Sequence, residues 1–283
     1  MPKAGLTAVQ YRNQIVKVIR RIGPRKALAH KDYGIMYSGP ADGHATIIGW
    51  FRRNSAKSKE QAHRLGGSRV NDTWIADKLI TIDLFRYFEQ VYKPLACTTK
   101  LGDVLQGTYN TVWGGVSAEF AKLPFNEIAT AVCGAGKKQV FYRYELPQLV
   151  SNTHIDACNE IPMESVRSMY NHVSKDEAFN LICLSELQMA FRYAYTTNTA
   201  PVHAWHDFVE RVNFYNTERN VTASTKKPLT NIQEQQKQQI IVRFGLNSLY
   251  ARKPSTWGGP LVPHPKHPPI HTSKPNAGYA ITK

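Results

Sequence analysis

A mainly α-helical fold with minor β structure is expected, on three observations. Capping-box spacings open apolar stretches with helical periodicity at Thr7-x-x-Gln10, Ser174-x-x-Glu177 and Thr230-x-x-Gln233. Convincing strand patterns are scarce, Val140–Tyr144 being the one aromatic-rich, partly alternating run. Hydrophobic residues make up 42% and aromatics 11% of 283 residues, enough for most of the chain to bury a core.

The first helix follows Thr7, with Ile15, Val18, Ile19 and Ile22 recurring at helical intervals, and Gly23-Pro24 stops it. A loop is expected over residues 31–44, punctuated by Gly34, Gly39-Pro40 and Asp42-Gly43. A short helix carrying Lys57, Lys59 and Arg64 ends at Gly66-Gly67, just before Arg69. Residues 72–92 read as a core helix, with Ile75, Leu79, Ile82, Phe85, Phe88 and Tyr92 on one stripe before Pro94. Glycines 102, 107, 114 and 115 read as interruptions, and a short helix is expected from Phe125 to Cys133, stopped by Gly134. Further helices are expected through Ala178 to Tyr193, from Val202 to Phe214 behind Pro201, and from Thr230 to about Tyr250. The last segment differs: residues 253–283 hold seven prolines and no sustained periodicity, so it reads as an extended arm. The expected organisation is a basic N-terminal helical region (1–70), a mainly helical core (71–250) and a Pro-rich, basic C-terminal arm (251–283).

Charge is distributed unevenly along this plan. Residues 1–70 carry 14 Lys/Arg against 3 Asp/Glu, residues 71–225 carry 13 against 17, and residues 226–283 carry 9 against 1. Two basic ends therefore flank a mildly acidic middle, within a formal net charge of +15. Solubility needs no such asymmetry, whereas a protein that neutralises phosphates with its ends and self-associates through its middle would show it. The candidate phosphate contacts are Arg20, Arg21, Arg25 and Lys26 around the end of the first helix, then Arg52, Arg53, Lys57, Lys59, Arg64 and Arg69, and finally Lys226, Lys227, Arg252 and Lys253. Trp50 joins them, because an aromatic face beside two arginines can stack a base while the guanidinium groups hold phosphates. Helix-dipole complementarity alone accounts for Arg20 and Arg21, but not for the cluster of four.

Other chemistries find little support. Gly134-Ala135-Gly136-Lys137-Lys138 approximates a phosphate-binding loop, yet Ala131 stands where that loop needs glycine and Lys138 where it needs a hydroxyl. His203-x-x-His206 places two histidines on one helical face without a third ligand at a recognisable spacing. No nucleophile elbow, zinc-protease helix or dinucleotide fingerprint occurs, so no catalytic residue, metal site or cofactor is expected. The four cysteines (97, 133, 158 and 183) form no C-x-x-C pair and read as buried thiols. No run approaches the roughly 18 apolar residues of a membrane span, so no membrane partner is expected and the setting is a virion or the cytoplasm. The functional expectation is a structural, self-assembling, nucleic-acid-binding subunit of the viral coat or nucleocapsid kind, with nucleic acid and copies of itself as partners. The rival expectations are a virion or phage head/tail subunit with little nucleic-acid contact and an RNA-binding subunit of a ribonucleoprotein.

Overall fold

The computed structural model describes residues 7–23, 32–38, 57–73, 101–137, 139–196, 202–223 and 227–251. The chain begins with helix α1 (Ala8–Ile22), opened by a complete capping box: Gln10 N–H donates to the Thr7 hydroxyl (3.3 Å), and Thr7 N–H donates to Gln10 Oε1 (2.8 Å). Gly23, at φ +94°, closes it. Strand β1 (Tyr33–Tyr37) follows, then helix α2 over residues 57–65, strand β2 (Ser68–Arg69) and a single 3-10 turn (Val70–Asp72). Helix α3 (Leu101–Ala121) leads to strand β3 (Glu127–Ala131). A π turn (Phe141–Glu145) runs into helix α4 (Leu146–Ser151), and a hairpin of β4 (Ala157–Cys158) and β5 (Ile161–Pro162) precedes α5 (Met163–His172). Helix α6 (Lys175–Phe191) continues into a second π turn (Arg192–Thr196), and α7 (Val202–Ala223), α8 (Asn231–Arg243) and α9 (Asn247–Ala251) complete the described chain.

The strands form one sheet in the order β2-β1-β3-β4-β5, parallel except for the antiparallel β4–β5 pair. Helices cover it so fully that Ile35, Met36, Ile128, Ala129 and Ala131 are all buried. That full burial explains why the strands were hidden in the sequence. A central parallel strand reads as an unbroken apolar run, with none of the alternation that marks a half-exposed strand. The helix expected from Phe125 to Cys133 is therefore corrected to strand β3, and the loop expected over residues 31–44 contains β1.

Three further expectations are corrected. Residues 101–121 form one continuous helix despite four glycines, because Gly114 lies against the Tyr144 ring and Gly115 against the Arg12 side chain, where a Cβ would collide. The bare backbone allows α1 and the π turn to approach α3 closely. Val140–Tyr144 is not a strand: residues 141–145 make the π turn, with the Leu146 N–H donating to the Phe141 carbonyl. Helix α8 ends at Arg243 instead of running on to Tyr250, since Gly245 takes φ +66° and the chain restarts at Asn247. Of the helix expected over residues 72–92, positions 74–92 lie outside the described residues, as does the C-terminal segment 252–283.

Helix α6 is the centre of the packing. Ser174 caps it by accepting from Glu177 N–H (3.1 Å), and Ala178, Leu181, Ile182, Leu184 and Leu187 are all buried. Cys133, Cys158 and Cys183 are buried free thiols. Among the described residues, no helix is long and apolar enough to cross a membrane.

Candidate nucleic-acid interface

Helix α1 is amphipathic by construction. Ile15 and Ile19 are buried in the main core, while Lys17, Arg20 and Arg21 are exposed, and the helix contains no acidic residue. Arg20 and Lys122 both donate to Glu119 Oε1, at 2.9 and 2.8 Å. Burial alone would raise the Glu119 carboxyl; the hydrogen bonds from Arg20 and Lys122 outweigh it and hold the group below its ordinary value. One carboxylate is thus shared by two cations, and Lys17 and Arg21 add to an outer surface of positive sign. That surface can take anionic groups that approach from solvent, a phosphate above all.

The second predicted cluster is divided by the fold. Lys59 and Arg64 lie on the exposed side of α2, with the Arg64 guanidinium 4.2 Å from the centroid of the Tyr193 ring. Lys57 and Arg69 are buried. Lys57 Nζ donates to Asp207 Oδ1 (2.7 Å) and Glu210 Oε2 (3.1 Å); Arg69 makes a two-pronged pair with Asp72 (Nε to Oδ2, 2.7 Å) and donates to the Ser58 hydroxyl (3.1 Å). Both cations are engaged inside the molecule. Lys227 is exposed. Arg25, Lys26, Trp50, Arg52, Arg53, Lys226, Arg252 and Lys253 lie outside the described residues.

Lys57 belongs to a buried cluster that the sequence reading missed. Glu186, on α6 and 1% exposed, accepts from Val132 N–H (2.7 Å) and the Thr130 hydroxyl (3.0 Å) at the carboxyl end of β3. Arg211 on α7, 3% exposed, binds Glu186 Oε1 (2.5 Å) and Asp207 Oδ2 (2.9 Å), and Asp207 hands the chain of contacts on to Lys57. Burial opposes the charge on Asp207, but Arg211 and Lys57 prevail and its carboxyl lies below its ordinary value. Burial likewise disfavours the Arg211 cation, and the charges of Asp207 and Glu186 raise its pKa in spite of this. The only trace in the sequence is the i, i+4 spacing of Asp207 and Arg211 on a helix.

The cluster sits where strand order reverses, with β2 on one side of β1 and β3 on the other, the position at which open parallel sheets leave a crevice. A shallow pocket there is lined by Lys57, Gln61, Arg64, Met189, Tyr193 and Arg211. Gln61 donates to the Thr130 carbonyl (3.2 Å), and its buried Oε1 has no hydrogen-bond partner among the described residues. Because the cluster's cations and carboxylates satisfy one another, its evident effect is mechanical: it ties α2 and α7 to the sheet through α6.

No family model, no curated protein and no solved structure matches this chain.

Proposed function

We propose that this protein is a structural, self-assembling subunit that binds nucleic acid through the phosphate backbone, of the viral coat or nucleocapsid kind. The observation that carries the reading is the outer face of α1. A helix seated by Ile15 and Ile19 presents Lys17, Arg20 and Arg21 with no acid of its own, at the entry to the basic sequence Arg25-Lys26. Placed in the N-terminal 70 residues, whose net charge is +11 from 14 cations and 3 acids, such a face suits a dense line of phosphates. Self-association is supported by Ile232 and Val242, which are 67% and 60% exposed on α8 and are far larger apolar groups than solvent contact favours. The seven prolines and four basic residues of positions 253–283 have the composition of an arm that links copies.

The test is the salt dependence of binding to a single-stranded oligonucleotide by the full chain, combined with the particle distribution seen by light scattering. Each phosphate contact contributes about 0.7 to the slope of log K against log salt for single strands. Replacing Lys17, Arg20 and Arg21 by Gln is expected to lower that slope by about 2 for all sequences alike. Particles that assemble without nucleic acid, with a slope unaffected by these changes, would instead favour a head or tail subunit that contacts protein alone.

A further inference from the structure

In the middle of the chain, acidic in sum, the fold gathers several cations where three described elements meet. The loop after β3 brings Lys137, the first π turn brings Tyr142 and Arg143, and the start of α6 brings Lys175 and Asp176. Asp176 lies among them, and both its oxygens are engaged: Oδ1 accepts from the Tyr142 hydroxyl (2.5 Å) and Oδ2 from Lys137 Nζ (2.6 Å). Lys175 Nζ lies over the Tyr142 ring, 4.4 Å from its centroid, while Phe179 packs edge-on against the same ring at 5.5 Å. Neither Lys175 nor Arg143 is in ion-pair contact with a carboxylate among the described residues.

The remaining acids nearby do not compensate. Glu177 is buried and pairs with Lys237 Nζ at 3.0 Å. Glu145, which ends the same π turn, is buried, and burial raises its carboxyl to about 8, so it is neutral at pH 7. Burial holds the Lys175 ammonium below its ordinary value against the pull of Asp176, and the charge of Arg143 adds a smaller push in the same direction as burial. Cations carried on neighbouring elements of a folded scaffold can meet an incoming anion without rearrangement of the chain.

We propose that Lys137 and Lys175, gathered about Tyr142 and Asp176, together with Arg143, which follows Tyr142 on the π turn and lies over the Tyr144 ring, form a second phosphate-contact patch for nucleic acid, separate from α1. The proposal rests on the nucleic-acid reading above and adds a contact surface within a segment whose net charge is negative. It also gives Gly134-Ala135-Gly136-Lys137 a role that needs neither the missing glycine nor the missing hydroxyl of a nucleotide-hydrolysing loop: the lysine serves as a point charge for a backbone phosphate.

The experiment measures anisotropy of a labelled single-stranded RNA oligonucleotide with the full chain across a salt series. Three proteins are compared: the wild type, the double variant Arg143→Gln with Lys175→Gln, and the α1 variant Lys17→Gln with Arg21→Gln. Circular dichroism first establishes that the variants keep their helix content. The patch variant is expected to lower the salt slope by about 1.4, two contacts at about 0.7 each, and bound RNA is expected to protect Lys175 from amine-labelling reagents. A slope lowered by the α1 variant and untouched by the patch variant overturns the patch while leaving the nucleic-acid reading in place. A wild type whose affinity for RNA ignores salt overturns both. Patch-dependent binding to polyglutamate with none to RNA overturns the proposal in favour of an acidic protein surface.

Discussion

The outer face of α1 and the cluster around Arg211 use the same residue types for opposite ends. On α1, Lys17, Arg20 and Arg21 stand in water, and the carboxylate that Arg20 reaches, Glu119, is shared with Lys122. In the cluster, Lys57 and Arg211 are 7% and 3% exposed and face Glu186, Asp207 and Glu210. A solvated cation contributes little to the fold and is free to meet a ligand; a buried one is held by its partners and holds them in turn. Removing the charge therefore separates the two regions. Arg211→Met leaves Glu186 buried without its cation and is expected to destabilise by about 3–5 kcal/mol, read from urea unfolding. Adding Glu186→Gln should recover part of that loss. A cost under about 1 kcal/mol for Arg211→Met would mean that the cluster does not hold α7 to the sheet.

Glu145 sharpens the comparison from the acid side. Glu186 and Glu145 are both buried, at 1% and 2% exposure, but Glu186 faces Arg211, whereas Glu145 Oε2 has no hydrogen-bond partner among the described residues. Burial raises the Glu145 carboxyl from 4.5 to about 8, opposed by a hydrogen bond with Ser117. Below pH 4.5 both folded and unfolded chains hold the proton, and the group has no effect on stability. Between pH 4.5 and 8 the unfolded chain releases a proton that the folded chain retains, so stability falls as pH rises, and above 8 the loss levels off. The expected fall is about 2–3 kcal/mol between pH 5 and 8, less than the full linkage limit because structure relaxes around a buried charge. Glu145→Gln should remove that slope, as measured by unfolding midpoints across the pH series; parallel curves for the two proteins would show that Glu145 is ionised in the fold.

What could be read in the sequence follows from how local each signal is. The caps at Thr7, Ser174 and Thr230 involve a side chain and a backbone group three residues away, so they are visible in a single chain and the structure has all three. Strand β3 depends on β1 and β4, which lie far away in sequence, and its burial on both faces erases the alternation that would mark it. Gly114 and Gly115 look like breaks because the reason for them, the Tyr144 ring and the Arg12 side chain, is brought in by other elements. The candidate site divides in the same way. Arg20 and Arg21 are exposed as a helix-terminal position implies, while the burial of Lys57 depends on Asp207 and Glu210, some 150 residues later, and nothing near Lys57 announces them.

The finest version of the comparison lies within α2, where Lys57 and Lys59 are two residues apart and face opposite ways. Lys57 is buried between two carboxylates; Lys59 is exposed. Lys57→Met would leave Asp207 with Arg211 as its remaining cation and strip Glu210 of this contact, for an expected loss of about 1–2 kcal/mol. Lys59→Met should stay within about 0.5 kcal/mol of the wild type. Binding should respond in reverse order. Under the proposed function Lys59 contributes about 0.7 to the salt slope for single-stranded nucleic acid, and Lys57 contributes nothing, since its ammonium is held by Asp207 and Glu210 and does not face solvent. The two variants thus form a crossed pair, one that alters unfolding without altering the slope and one that does the opposite. If Lys57→Met lowers the slope at unchanged stability, the interior pairs open to admit phosphate, and the division between interior and exterior cations fails at the residue where it is drawn most narrowly.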